Sequence, residues 1–112
     1  MEVVGKSPRR DEVWLLTLDP THRVEIRKTR PCVVISPDEM NRHLQTVIVA
    51  PVTTVVRPYP TRVGLTFQGK SGQMALDRLR AVDRQHLTQK LGSISAGATH
   101  ESADVLLEMF RR

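Results

Sequence analysis

Apolar residues in this chain come in short runs, and turn-forming residues close each run within a few positions. Such runs suit strands, whose side chains alternate between faces, better than helices, which need an apolar stripe sustained over several turns. In Glu12 to Leu18, Val13, Leu15 and Thr17 alternate with Trp14, Leu16 and Leu18, so both faces carry apolar bulk and a central strand is expected. Asp19-Pro20-Thr21 ends it with turn chemistry, and His22 to Arg30 reads as a polar loop. Cys32 to Ile35 reads as a second strand. Ser36-Pro37-Asp38-Glu39 reads as the start of a short helix capped by Ser36. Thr46 to Val52 is strand-like again, with Pro51 marking an edge or an end.

After the rigid turn Arg57-Pro58-Tyr59-Pro60, Val63, Leu65 and Phe67 alternate as a half-buried strand, and Gln68 to Gly72 looks like a loop. Gln73 to Leu76 and Leu79 to Val82 are two short strands or one bent one. Asp83 can cap a brief helix through Leu87, and Gly92 interrupts the chain before Ser93. Only the end reads as a longer helix. Thr99 is its expected cap, Glu101 and Asp104 load its first turn, and Ala103, Leu106, Leu107 and Phe110 form its apolar stripe. The expectation is a mainly β fold with short helices, a small curled barrel carrying a C-terminal helix. Residues 1–112 fit one domain, with residues 1–10 as a flexible basic start.

Lys and Arg total 17 against 12 Asp and Glu, a formal charge of +5 that favours a polyanionic partner without naming one. A single cysteine, Cys32, rules out a disulfide framework and reads as a core thiol. No stretch is long and apolar enough to cross a bilayer, and the start lacks the apolar core of a signal peptide. A cytoplasmic location, with no membrane partner, is expected.

Familiar catalytic signatures are missing. Gly69-Lys70-Ser71 lacks the full phosphate-loop spacing, and His22, His43, His86 and His100 have no zinc-site spacing. No metal or other cofactor is expected. What remains is Arg, Glu, Thr and Asp, a set able to cleave RNA without metal. RNA carries its own nucleophile, the 2′-hydroxyl, so the protein need only align it, neutralise charge and move protons. Arginine suits the charge role; a glutamate is the better base, because arginine stays protonated.

VWLLTLDPT (Val13 to Thr21), EIRKTRPCVVISPDEMN (Glu25 to Asn41), VIVAPVTT (Val47 to Thr54) and GQMALDRLRAVD (Gly72 to Asp83) occur in this order, followed by Lys90-Leu91-Gly92 and the terminal helix. With these segments the chain resembles the MazF/PemK family of toxin endoribonucleases from type II toxin–antitoxin systems. The resemblance implies an SH3-like barrel in a two-fold homodimer. It implies cleavage of single-stranded RNA, often mRNA, at short sequences, to 2′,3′-cyclic phosphate and 5′-hydroxyl ends. It also implies a cognate antitoxin protein that blocks the RNA groove, and operator DNA as a target of the toxin–antitoxin pair.

Residue by residue, the resemblance puts catalysis on Arg30 of the Arg-Pro pair, on Thr53 after the third strand and on Glu25 in the preceding loop. It puts RNA binding or orientation on Arg27, Lys28, Asp77, Arg80 and His22. Each has a blander reading: a local ion pair for Glu25, a solvated charge run for Arg27 and Lys28, and a turn-making Asp77 that pins Arg80. Arg62 and Gln73 are weaker candidates for RNA contact, and Trp14 reads as a core or dimer anchor. Three departures stand out. Arg10-Asp11-Glu12 replaces the Arg-Gly-Asp of many members, which should alter that turn. Ala75 stands where some members carry a second arginine, whose duty would fall to Arg78 or Arg80. Aromatic residues are few, so base stacking must be limited or use arginine planes. Two other functions fit the same barrel: a non-catalytic nucleic-acid-binding module, and a regulatory dimer that captures an antitoxin peptide.

Overall fold

The computed structural model describes residues 7–18 and 28–112. Seven strands form one antiparallel sheet: β1 (Glu12–Leu18), β2 (Lys28–Val34), β3 (Thr46–Thr53), β4 (Arg62–Phe67), β5 (Lys70–Ala75), β6 (Arg80–Asp83) and β7 (Leu87–Ser93). A short helix α1 (Asp38–His43) links β2 to β3, and α2 (Ala96–Phe110) ends the fold. Their order in the sheet is β4-β5-β3-β2-β1-β7, with β6 alongside the first half of β3. As its two apolar faces require, β1 is central, paired with β2 and β7.

Alternation along the central strands builds a core on each face of the sheet. Val13, Val33 and Ala50 join Met74, Leu76 and the inner side of α2, from Ala98 to Met109. Their chain neighbours Cys32, Val34, Val47 and Val49 join Leu16, Val82 and Leu87 on the other face. Cys32 is fully enclosed, and burial pushes its thiol up to about 12 against a hydrogen bond with the Trp14 backbone, so it stays an inert core group.

The strand β3 bends the sheet. Its first half pairs with β6 through Val49, and its end pairs with β5 from Val52. Pro51 falls in the gap between those ladders while facing Cys32 of β2 on the other side. A residue without an N–H therefore sits where the strand changes partners, inside β3 rather than at an edge.

The closed SH3-like barrel expected from the sequence is not formed. The outer strands β4 and β7 share no ladder, so the sheet is an open half-barrel. A side chain occupies the gap where backbone pairing would be. The Phe67 ring of β4 lies so near Gly92 of β7 that a Cβ there would come within 3.2 Å of it. Gly92 also marks a register shift within β7, a continuous strand where the sequence suggests only a brief helix and a glycine interruption.

Other local expectations shift for identifiable reasons. The β2 strand begins four residues before Cys32, so the Thr29-Arg30-Pro31 segment is strand. Pro37, not Ser36, occupies the α1 cap. The Ser36 hydroxyl donates to Asn41 Oδ1 at 2.5 Å and accepts from the Ile48 N–H at 3.0 Å, a buried polar clasp between α1 and β3. Gln68 and Gly69 both have positive φ, 52° and 78°, as a two-residue hairpin turn of the primed kind requires, so Lys70 to Gly72 is strand rather than loop. The α2 cap is Ser95, whose hydroxyl accepts from the Ala98 N–H at 3.1 Å, one turn before Thr99. The buried face also differs from the expected stripe: Val105, Leu106 and Met109 pack inward, while Leu107 and Phe110 are each 70% exposed.

The turn before β1 forms without a glycine. Asp11 takes the left-handed conformation itself, φ 74°, and its carbonyl accepts from the Ile94 N–H at 3.0 Å. Of the basic start, residues 7–10 are described: Pro8 is buried, and Arg9 N–H donates to Glu12 Oε1 at 2.9 Å. Glu12 also accepts from Trp14 Nε1 at 2.9 Å and pairs with Lys90 at 2.9 Å. Burial alone would raise its carboxyl, but the hydrogen bonds from Arg9 and Trp14, with the contact to Lys90, outweigh that and hold it below the usual carboxylate value. A depressed carboxylate stabilises the fold above its unfolded value and ceases to do so as pH falls through the folded one. Acid titration should therefore lower the thermal midpoint of the wild type across the carboxylate range. Glu12→Gln should start lower at neutral pH and fall less; equal slopes would remove Glu12 from that role.

Candidate active site

The Arg-Pro pair lies in β2, with Arg30 opposite Leu16 and Pro31 opposite Leu15 of β1. On its other side, β2 meets β3 with Cys32 opposite Pro51 and Val33 opposite Ala50. Continuing that register by two residues puts Arg30 across from Thr53, the last residue of β3. Directly opposed residues share a sheet face. Arg30 and Thr53 line one cavity of about 600 Å³ in the open mouth of the half-barrel, together with Lys70 and Ser71 of β5. Leu15, Val52, Leu65, Phe67 and Leu91 form its apolar wall. No carboxylate lines it among the described residues, so the cavity is cationic. Its existence follows from the incomplete sheet: a β4–β7 ladder would close the mouth.

Thr53 is set for a donor role. Its Oγ1 accepts from the Val55 N–H at 3.0 Å, which fixes the oxygen and leaves the O–H free to point at an acceptor. The loop that follows is clamped by Gln73, opposite Thr53 in β5. Gln73 Oε1 accepts from Arg57 N–H at 3.0 Å, and its Nε2 donates to the Arg57 carbonyl at 3.1 Å. A weak RNA-contact candidate in the sequence is thus a loop fastener here.

Asp77 and Arg62 are committed to each other. Arg62 Nε lies 2.8 Å from Asp77 Oδ1, and Thr61 Oγ1 donates to the same oxygen at 3.0 Å. The Arg62 hydrogen bond and that of Thr61 prevail over a small burial effect and hold the Asp77 carboxyl below its usual value. The Arg62 side chain is only 7% exposed and sits 5.0 Å from the Tyr59 ring centre. Asp77 therefore pins Arg62 rather than Arg80, and it lines neither of the two cavities that Arg30 lines.

The second of these, about 480 Å³, brings Arg30 together with Arg78 and Arg80. Glu25, Arg27 and His22 lie outside the described residues, and Lys28 is described only as the first residue of β2. No group of three His, Cys, Asp or Glu residues comes together among the described residues. Lys70 and Ser71 are site residues that the sequence alone did not single out. The two-residue turn before them was the available signal, because it places Lys70 opposite Phe67 at the cavity rim.

A family profile described as PemK-like, MazF-like toxin of type II toxin-antitoxin system matches residues 9–110. The chain belongs to this toxin family. Its relatives include the Endoribonuclease MazF of Staphylococcus epidermidis, 32% identical over 93 residues and matched over 78% of either chain. A chain of the MazE-MazF crystal structure (Form-III) from Deinococcus radiodurans has a TM-score of 0.78 at 25% identity, over 93% of this chain and 96% of that one. The fold is also that of a mycobacterial endoribonuclease solved in complex with its cognate antitoxin, with a TM-score of 0.77 at 21% identity, over 91% and 93% of the two chains. In this family member the Arg-Pro and Pro-Val-Thr segments both reach one cavity.

The Thr53 carbonyl gives a way to perturb this geometry without touching Arg30 or Thr53. A Cβ at Gly72 would lie 2.7 Å from the Thr53 carbonyl oxygen, too close for contact, whereas a Cβ at Gly64 meets nothing within 4 Å. Gly72→Ala should push β5 from β3 and lower ribonuclease activity about tenfold or more, since displacements near 1 Å cost catalysts up to about 10²-fold. Gly64→Ala should keep parental activity. Equal activity in both variants would detach Thr53's placement from the chemistry.

Proposed function

We propose that this toxin-family member is a sequence-specific endoribonuclease that cleaves single-stranded RNA without a metal, leaving 2′,3′-cyclic phosphate and 5′-hydroxyl ends. The observation that carries the reading is the shared, acid-free cavity of Arg30 and Thr53. In the mechanism the 2′-oxygen attacks the adjacent phosphorus as Glu25 takes its proton, and the P–O5′ bond breaks. Arg30 neutralises the charge gathering on the phosphate and hydrogen-bonds the departing 5′-oxygen, which takes a proton from water. Thr53 donates to a non-bridging oxygen. Arg27, Lys28, Arg80 and His22 steer or orient the strand. Asp77 acts through Arg62, fixing the loop that flanks the cavity.

The proposed partners are a cognate antitoxin, which competes for the same cationic groove, and operator DNA bound together with it. A second copy of this chain is proposed on the exposed side of α2. Ala103, Leu107 and Phe110 line a groove there with Ile35 that no part of the described chain fills. No helix of the described residues is long and apolar enough to cross a membrane. The cytoplasm, where mRNA is at hand, is the proposed compartment.

Purified protein mixed with single-stranded RNA in EDTA should give defined fragments with cyclic-phosphate ends. Arg30→Ala should lose about 10² to 10³ in rate, the loss typical of one charge-stabilising donor. Parental cutting by Arg30→Ala would overturn the site. Retardation of RNA without any cleavage by the wild type would favour the binding module. Leu107→Glu with Phe110→Glu should convert dimer to monomer in sedimentation; an unchanged dimer would place the interface elsewhere.

A further inference from the structure

The described arginines divide into two groups. Arg9, Arg42, Arg62 and Arg111 are ion-paired to Asp38, Glu39, Asp77 and Glu108. Arg10, Arg57 and Arg84 donate to backbone carbonyls. Arg30, Arg78 and Arg80, with the terminal Arg112, have no such partner among the described residues. Three of these four meet in one place, the cavity of about 480 Å³ walled by Leu16, Val49 and Pro51.

Three guanidiniums held together repel one another, and an apolar wall strengthens the repulsion by keeping water away on one side. The fold had an acid at hand to relieve it. Asp77 precedes Arg78 in the chain, yet its carboxylate is drawn to Arg62 on the other side of the turn. Backbone geometry fixes the cluster in place: Arg80 pairs with Val49 at the start of β6, and the 3-10 turn Leu76–Arg78 anchors through the fully buried Leu76. A cluster with no acidic partner among the described residues, held on rigid elements, suits an anion.

Arg30 and Pro31 line both this cavity and the one containing Thr53, so the two are contiguous across β2. We propose that Arg78 and Arg80 form a second phosphate subsite, next to Arg30, that grips an RNA phosphate flanking the one to be cut. This rests on the RNA-cleaving reading of the first cavity. A phosphodiester chain presents one charge per nucleotide at regular spacing, and planar guanidinium forks match phosphate oxygens. A strand seated on Arg30 and Thr53 must leave along some path, and the only other arginines lining an Arg30 cavity, among those described, mark it out. The subsite carries affinity and register, not bond-making. It gives the enzyme a preference for substrates that extend past the cut.

The test separates binding from cleavage. A 2′-O-methylated oligonucleotide cannot be cut, so its affinity is informative whether or not the chain proves to be a nuclease. Its affinity should fall in Arg78→Gln/Arg80→Gln. The slope of log affinity against log salt should shrink by about 0.7 for each single-strand phosphate that the variant no longer neutralises. Arg78→Lys/Arg80→Lys should recover most of that slope, and Arg112→Gln should leave it unchanged. Thermal midpoints of the Lys and Arg112 variants should match the parent and that of the double Gln variant should match or exceed it, since it relieves repulsion among exposed side chains without described partners. On cleavable RNA, the KM advantage of a long strand over a dinucleotide should disappear in the double Gln variant. An unchanged salt slope and affinity in Arg78→Gln/Arg80→Gln would overturn the subsite. So would unchanged oligonucleotide binding together with weakened binding of a polyglutamate peptide, which would assign the cluster to an acidic protein segment. Failure of the wild type to cut unmodified RNA in EDTA would count against the nuclease reading alone.

Discussion

The change of partners along β3 is the constraint on which the architecture turns. A strand that paired with the same neighbours throughout would extend a flat sheet. Here the ladder to β6 stops at Val49, the ladder to β5 starts at Val52, and Pro51 withholds the donor between them. The strand can therefore turn from one packing layer to the other without leaving an N–H unsatisfied. The half-barrel curls from that point. Thr53 emerges just beyond it, on the side where β2 presents Arg30. The site is thus a by-product of how the sheet bends, and its mouth stays open because β4 and β7 meet through Phe67 and Gly92 rather than through a ladder.

Polar groups around the bend are committed to geometry, which leaves the chemistry to few residues. Gln73 uses its amide on both backbone groups of Arg57, and Asp77 neutralises Arg62. Each could have been a ligand group by residue type alone. With both engaged, the cavity retains cations and hydroxyls: Arg30, Lys70, Thr53 and Ser71 among them. Such a lining stabilises negative charge but offers no proton acceptor, since arginine stays protonated throughout the accessible range. A phosphate undergoing attack is therefore served well there, while proton removal must come from a group outside this lining. In the sequence Glu25 stands five residues before Arg30, the nearest acid to it along the chain.

What the sequence revealed and what it hid have separate physical causes. Strand β1, the inert Cys32, the Asp83 cap and a C-terminal helix were legible because local pattern decides them. That Arg30 and Thr53 share a cavity was to be expected only through the family resemblance, since no local pattern relates them. The openness of the barrel was not, because whether β4 and β7 pair depends on the summed curl of every strand between them. Two caps were misplaced by a small offset. Ser36 and Thr99 are good capping residues, but Pro37 and Ser95 hold those positions in the fold. The buried face of α2 is set by what it packs against and not by its cap, which is why the apolar stripe did not reveal that Leu107 and Phe110 stay exposed. Asp11 shows the reverse. It is not a glycine, yet it holds a left-handed backbone, because it bonds through its N–H to Val34 of β2 and through its carbonyl to Ile94 just after β7.

The alanine at position 75 shows how packing and charge placement are linked. The family resemblance places a second arginine there in some members, and its absence could be taken as a defect in catalysis. Ala75 closes β5 opposite Arg62 and is fully buried. An arginine could not stand on this backbone without burying a charge in the core, at a cost of several kcal/mol, about what desolvating an ion in a protein requires. The same packing turns Leu76 into the core and brings the chain out at Arg78, so positive charge reappears at the first positions after β5 where water can reach it. From there it faces Arg30 across the smaller cavity. The proposed split of labour follows that placement: Arg30 with Thr53 at the scissile phosphate, and Arg78 and Arg80 holding the strand beside it.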